Sequence, residues 1–286
     1  MRSILVFSLG LLPLASYAVV DTTSKTSPGG ADASWSWVGM VGGCSGVAIG
    51  PHTVLTAAHV GGTDFFLNGK AYAMSSTVTA PSIGGSAIDL RIVQIRDVLP
   101  GWYQMGSSIK KKDGISMVGY GATGVVNSVN TGYNVGGSVG ERHAGDNKVS
   151  DFKSVKGYGP TLRSMLTKAG DAALGGCDSG GGWFAKGKLV GISSFTFLTA
   201  NKPEYGWGKS AYFGSSAIDL TNSKVNKWVK SQLADASSRS AFGPELLSPS
   251  PEMASDIVRV QSTPEPGSLL ALGVGLLAFL RRRRRR

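Results

Sequence analysis

Three side-chain types that together carry out acyl transfer, an imidazole, a carboxylate and a hydroxyl, occur in short distinctive contexts in this 286-residue chain. His59, one of only three histidines, ends the run "TVLTAAH". Asp89 opens the apolar run "DLRIVQI", and Ser179 sits in "CDSGGG". A serine hydroxyl is a poor nucleophile until a positioned base takes its proton. An imidazole can be that base. A carboxylate entering an apolar run needs a buried partner, which an imidazolium supplies. Asp64 and Asp113, by contrast, stand at turns and read as solvated or capping residues.

The stretch "LGGCDSGGGW", residues 174–183, surrounds Ser179 with five glycines. A run so free of side chains lets the backbone approach another group closely. The nucleophile-elbow pattern G-x-S-x-G fails here, because Cys177 occupies its first glycine position.

Rigid elements must bring these distant residues together. Short apolar runs, "WSWVGMV", "SGVAIG", "TVLTAA", "DLRIVQI", "GISMVGYG", "KLVGISSF" and "SAYFG", alternate with glycine, serine and asparagine turns. That spacing predicts an all-β sandwich or barrel. One segment differs: residues 223–236 place Val225, Trp228, Val229 and Leu233 at helical spacing, which predicts a closing amphipathic helix. Residues 237–263, rich in Ser and Pro, read as a linker.

Both ends carry addresses. Residues 1–18, "MRSILVFSLGLLPLASYA", combine Arg2, an apolar centre and a small-x-small cleavage site, the pattern of a secretory signal peptide. Export places the two cysteines where a disulfide can persist. In the tail, 267–280 is an uncharged apolar stretch ending at six arginines. As a helix it reaches roughly 21 Å, short of a hydrocarbon core of about 30 Å, so as a transmembrane helix it would need bilayer thinning or snorkelling. Pro264-Glu265-Pro266, the apolar stretch and the arginine cluster resemble, in that order, the PEP-CTERM sorting signal. The resemblance assigns 264–286 to a sorting segment. It implies transient membrane anchoring, handling by an exosortase-type enzyme, and a final place at the cell surface or outside the cell.

The ends also explain the charge. Of 29 basic residues, six are the terminal arginines and one is Arg2, leaving 22; of 18 acids, setting Glu265 aside leaves 17, a net +5. The pI near 9.7 is thus largely a sorting feature, and no basic stripe with interleaved aromatics points to nucleic acid. His52, His143 and the cysteines show no metal-ligand spacing, so neither metal nor other cofactor is expected. His52 and His143 stand in turn-like contexts and read as solvated.

"LTAAH", "DLRIV" and "DSGG", in that order, resemble the three catalytic motifs of the trypsin/chymotrypsin serine endopeptidase family. "GYGATG" from Gly119 and "LVGISSF" ending at Phe195 resemble further family segments, the second being the strand that binds substrate backbone. The resemblance spans about residues 35–235. It implies two six-stranded antiparallel β-barrels with the cleft between them, 19–105 holding a leader and the first, 106–236 the second and the helix. It implies a serine endopeptidase acting on protein or peptide through an acyl-enzyme: Ser179 as nucleophile, His59 as base and then acid, Asp89 orienting it. The N–H groups of Cys177 and Ser179 would form the oxyanion hole. A non-catalytic surface or matrix protein on the same fold, or an esterase using the same three residues, are the alternatives.

Departures from the family pattern carry their own expectations. The family normally has glycine where Cys177 stands. Cys44 lies 15 residues before His59, at the spacing of a family cysteine whose usual partner position is here Val60. Both cysteines having lost their companions, the resemblance implies a Cys44–Cys177 disulfide, with two unpaired buried thiols as the alternative. Family members cutting after Lys or Arg carry an acid six residues before the serine; here that residue is Ala173, followed by Leu174. With Ser194 and Phe195 on the substrate strand, and Thr196 and Ser210 where pocket walls usually have glycine, a small or medium uncharged P1 side chain is expected. Asp178 is the expected partner of a freed N-terminus, which signal-peptide removal would place at Val19.

Overall fold

The apolar runs become strands, and the turns between them are set by residues that tolerate left-handed backbone. The computed structural model describes residues 35–126, 133–135, 139–167, 170–197 and 214–241. Strands β1 (Val38–Val41), β2 (Cys44–Gly50), β3 (Thr53–Thr56), β4 (Phe65–Leu67), β5 (Lys70–Tyr72), β6 (Met74–Thr79) and β7 (Arg91–Ile95) form one antiparallel sheet in the order β5-β4-β1-β2-β3-β7-β6. The β4–β5 hairpin shows the local logic. Asn68 and Gly69 take φ of 50° and 80° between paired Leu67 and Lys70, as a two-residue type I′ turn requires.

The strand count of seven, against six expected, has a simple origin. The two edge strands β5 and β6 are separated in sequence by Ala73 alone. One continuous segment therefore pairs with β4 at one end of the sheet and β7 at the other, nearly closing it.

The second half is a closed six-stranded barrel in the order β11-β12-β15-β14-β13-β8. Its strands are β8 (Gly114–Gly119), β11 (His143–Val155), β12 (Gly159–Met165), β13 (Gly182–Ala185), β14 (Lys188–Phe197) and β15 (Gly214–Asp219). β9 (Gly124–Val126) and β10 (Tyr133–Val135) pair as a separate ribbon. The architecture is thus all-β with one closing helix, α1 (Ser223–Ala241). Asn222 caps α1, its side-chain oxygen accepting the Lys224 N–H at 3.2 Å. The helix runs on to Ala241, past the expected end at Ala236; Gly243 and Pro244 are the first strong helix breakers beyond it.

Three apolar clusters fix this frame. One fills the first barrel around Val41, Phe65 and Val93; another fills the second around Met117, Leu162 and Trp183. The third joins the barrels to the helix, packing Leu55, Leu90 and Ile92 with Phe184, Ile192, Val225 and Val229. Burying side chains of this size contributes about 1.5–3 kcal/mol each. The junction between the barrels is therefore a core in its own right, and the candidate site sits along it. No helix among the described residues is long and apolar enough to cross a membrane. The 267–280 stretch, residues 1–34 and most of the expected linker lie outside the described residues.

Candidate active site

His59 follows β3, where β-branched strand formers give way to Ala57 and Ala58 and the chain turns through a short 3-10 segment, Ala58–Val60. Small residues let the chain turn there, and the imidazole stands about half exposed at the end of a rigid strand. Asp89 lies just before β7 and is 6% exposed. The two are joined twice: the His59 N–H donates to Asp89 Oδ1 at 3.0 Å, and ring Nδ1 donates to Oδ2 at 2.8 Å. A carboxylate can only accept, so Nδ1 carries the ring proton and Nε2 is left as an acceptor. Ser179 Oγ lies 2.8 Å from that Nε2 and donates its proton to it.

Electrostatics support the pair. The hydrogen bond to Asp89 raises the His59 pKa most; partial burial pulls it down and the Asp89 charge adds to the rise, leaving it above the ordinary histidine value. Burial pushes the Asp89 carboxyl up. Hydrogen bonds from His59 and Ser194, with the His59 charge, together outweigh burial and hold the carboxyl below the ordinary carboxylate value.

The second barrel contributes to both ends of this chain of contacts. Ser194 Oγ, on β14, donates to Asp89 Oδ2 at 2.5 Å, and the Ser194 carbonyl lies 3.5 Å from Ser179 Oγ. The sequence places Ser194 only on the substrate strand; its bond to the carboxylate spans 105 residues and leaves no local signal. The Asp89 N–H donates to the Tyr158 carbonyl at 3.1 Å. Tyr158 stands at the β11–β12 turn with its ring 4.3 Å from that of Phe195, and sequence reading does not find it.

Ser179 rests in the glycine-rich turn before β13. The close approach foreseen from the glycines is to the first barrel: a Cβ on Gly180 would fall 2.0 Å from the Ser45 carbonyl oxygen. Cys177 takes φ of 67°, in the left-handed region that glycine favours. Asp178 is fully buried, its Oδ1 accepting the Gly121 N–H at 2.9 Å and its Oδ2 the Gly175 N–H at 2.7 Å. Val19, its expected partner, lies outside the described residues.

A cleft of about 420 Å³ opens at these side chains, lined by His59, Tyr158, Leu174, Gly175, Gly176, Cys177, Ser179, Ser194, Phe195 and Thr196. Of the expected pocket residues, Leu174, Ser194, Phe195 and Thr196 line it; Ala173 is buried at 2% exposure and does not. Ser210 lies outside the described residues.

Two expectations are corrected. The Cys44–Cys177 disulfide is not present: both cysteines are free thiols, although side by side. The family resemblance implied their proximity, which does not by itself supply bond geometry. Burial first, then the neighbouring Cys177 thiol and Asp178 carboxylate, push the Cys44 thiol up to about 12. His143, read as solvated, is instead 5% exposed at the start of β11, while His52 donates from Nδ1 to the Ile95 carbonyl at 3.1 Å.

Among solved structures, neuropsin, a serine protease expressed in the limbic system of mouse brain, matches with a TM-score of 0.51 at 15% identity, covering 72% of this chain and 99% of that one. A mutant of human heparin binding protein (CAP37) matches with a TM-score of 0.55 at 13% identity, covering 73% and 96%. Curated proteins give no match. The body of the chain has the chymotrypsin-like serine protease fold. Its end, residues 262–285, matches the PEP-CTERM protein-sorting motif, so a chymotrypsin-like fold is joined here to a sorting signal of exported, surface-directed proteins.

Proposed function

We propose that the protein is an exported serine endopeptidase. The observation that carries this reading is His59, whose ring bonds Asp89 on one side and Ser179 on the other at 2.8 Å each. Nε2 takes the Ser179 proton as Oγ attacks the scissile carbonyl. The N–H groups of Cys177 and Ser179 donate to the developing oxyanion, a contribution of about 2.7–4 kcal/mol per donor in comparable sites. The imidazolium, balanced by Asp89, returns the proton to the leaving amine, and water releases the acyl group by the same relay. In the cleft, Leu174, Gly175, Gly176 and Thr196 offer no charge, which favours a small or medium uncharged P1 side chain. The signal peptide exports the chain, and an exosortase-type enzyme handles the tail after transient membrane anchoring.

The test is labelling of the purified protein by a fluorophosphonate, together with cleavage of a casein-type substrate. Both are expected in the wild type and absent in Ser179→Ala. A wild-type protein that neither labels nor cleaves is an inert surface protein on a protease fold. One that labels and cleaves only esters is an esterase.

A further inference from the structure

Ser45, the second residue of β2, makes four hydrogen bonds and is fully buried. Its N–H donates to the Ser179 carbonyl at 2.9 Å, and its own carbonyl accepts the Thr56 hydroxyl at 2.8 Å. Its Oγ accepts the Tyr120 N–H at 2.9 Å and lies 3.1 Å from the Cys177 carbonyl. The direction of that last bond is forced. An amide N–H can only donate and a carbonyl can only accept, so the single hydroxyl proton points to Cys177. One residue of the first barrel thus grips the Cys177-Asp178-Ser179 turn of the second at both ends.

The grip falls where the backbone needs it. Cys177 carries a Cβ in the left-handed region, at φ 67°. Such a conformation is unfavourable and persists only where the surroundings over-determine it. Rotation about the Cα–C bond sets where the Cys177 carbonyl points, and Ser45 Oγ holds that carbonyl. Once released, the turn can relax toward ordinary backbone, carrying the Cys177 N–H away from the cleft that Cys177 lines.

We propose that Ser45 is a positioning residue: by holding the Cys177 carbonyl, its hydroxyl keeps the Cys177 N–H aimed at the oxygen of the attacked carbonyl. This rests on the serine endopeptidase reading above. Ser45→Ala removes one oxygen atom and leaves the backbone bonds of residue 45 in place. The expected result is a kcat lowered about ten- to a hundredfold, short of the roughly 10²–10³ seen when a donor is deleted outright, with KM within about twofold. A peptide aldehyde, whose hemiacetal oxygen takes the oxyanion position, should lose affinity by the same factor as kcat, while a cleaved-product peptide should not. Thr56→Val serves as the structural comparison. It removes a bond to the Ser45 carbonyl but none to the hydroxyl, and should lower the melting temperature without lowering kcat.

The assay is made on the full chain, after wild-type labelling and turnover are established; a wild type without them ends the endopeptidase reading, not this one alone. With an active wild type, three results overturn the proposal. These are an unchanged kcat in Ser45→Ala, equal kcat losses in Ser45→Ala and Thr56→Val, or a Ser45→Ala chain that does not fold and so assigns Ser45 to the framework.

Discussion

The two barrels contribute to the site in different currencies. From the first come His59 and Asp89, whose side chains bond each other and which stand just after β3 and just before β7. From the second comes a turn whose value lies in its backbone: Ser179 within glycines, and Cys177 in a conformation unsuited to a side chain. A charge is placed by side-chain partners, here the His59 ring and the Ser194 hydroxyl on Asp89. A backbone is placed by backbone and hydroxyl clamps, here Ser45 on Cys177 and Ser179. Each barrel steadies the other's contribution. The site should therefore fail in two distinguishable ways, by losing a charge or by losing a shape.

The largest break is expected on the charge side. Asp89→Asn keeps the size of the side chain but puts an NH₂ group where an acceptor stood. His59 can then keep its Nδ1 proton only by bonding the amide oxygen. If the NH₂ faces the ring instead, the ring proton moves to Nε2, the atom that must receive the Ser179 proton. A loss of about 10⁴-fold in kcat is expected, as for this change in comparable triads. It is measured by steady-state kinetics with fluorophosphonate labelling slowed in parallel. A loss below about tenfold would show that the carboxylate does not orient the base.

How much of this could be read from the sequence follows the same division. His59, Asp89 and Ser179 each sit in a short stretch that is a weak signal alone, a strand ending in small residues, an acid opening an apolar run, a serine among glycines; their order and the family resemblance single them out. The all-β class followed from the spacing of apolar runs, and the helix from Val225, Trp228, Val229 and Leu233. What stayed hidden is what the fold alone juxtaposes. Ser45 lies 132 residues from Cys177 and Ser194 lies 105 from Asp89, and nothing local marks either serine. Tyr158 reaches the cleft only because the β11–β12 turn lies beside Asp89. The break at Ala73 divides one strand into two because its halves pair with opposite edges, a property of closure that local sequence does not encode. The cysteines fall between: the family resemblance placed them together, and their free-thiol state was its second reading.

A smaller effect sharpens the charge side. Because Asp89 raises the His59 pKa, the acid limb of kcat/KM should have its midpoint above the ordinary histidine value of about 6.5. The sign follows from the role of the ring, which must be neutral to accept a proton. Activity therefore rises with pH through that midpoint and falls about tenfold per unit below it. Stability from the same shift runs the other way. A group whose folded pKa is raised stabilises the fold fully below its unfolded value and loses that contribution as pH rises through the folded one. Half exposure of the ring keeps this part small. In Asp89→Asn the midpoint should move down. A wild-type midpoint at or below the ordinary histidine value would mean the pair is not coupled in solution.

The smallest effect tests the shape side, at Cys177. In ordinary backbone, replacing glycine by alanine stabilises a protein by about 0.4–1 kcal/mol, because the unfolded chain has fewer conformations to lose. At φ 67° the order should reverse, since a Cβ in left-handed backbone costs about 1–2 kcal/mol. Comparing Cys177→Gly with Cys177→Ala removes the thiol in both and leaves only that Cβ as the difference. Glycine should come out more stable by up to about 1.6 kcal/mol, the left-handed cost less the unfolded-state advantage of alanine. Urea midpoints of the two variants, at equal denaturant slope, measure it. If alanine proved the more stable, the turn would not be left-handed in solution. The clamp from Ser45 would then have nothing to hold in place, and the contrast between a positioned charge and a positioned backbone would collapse to its first half.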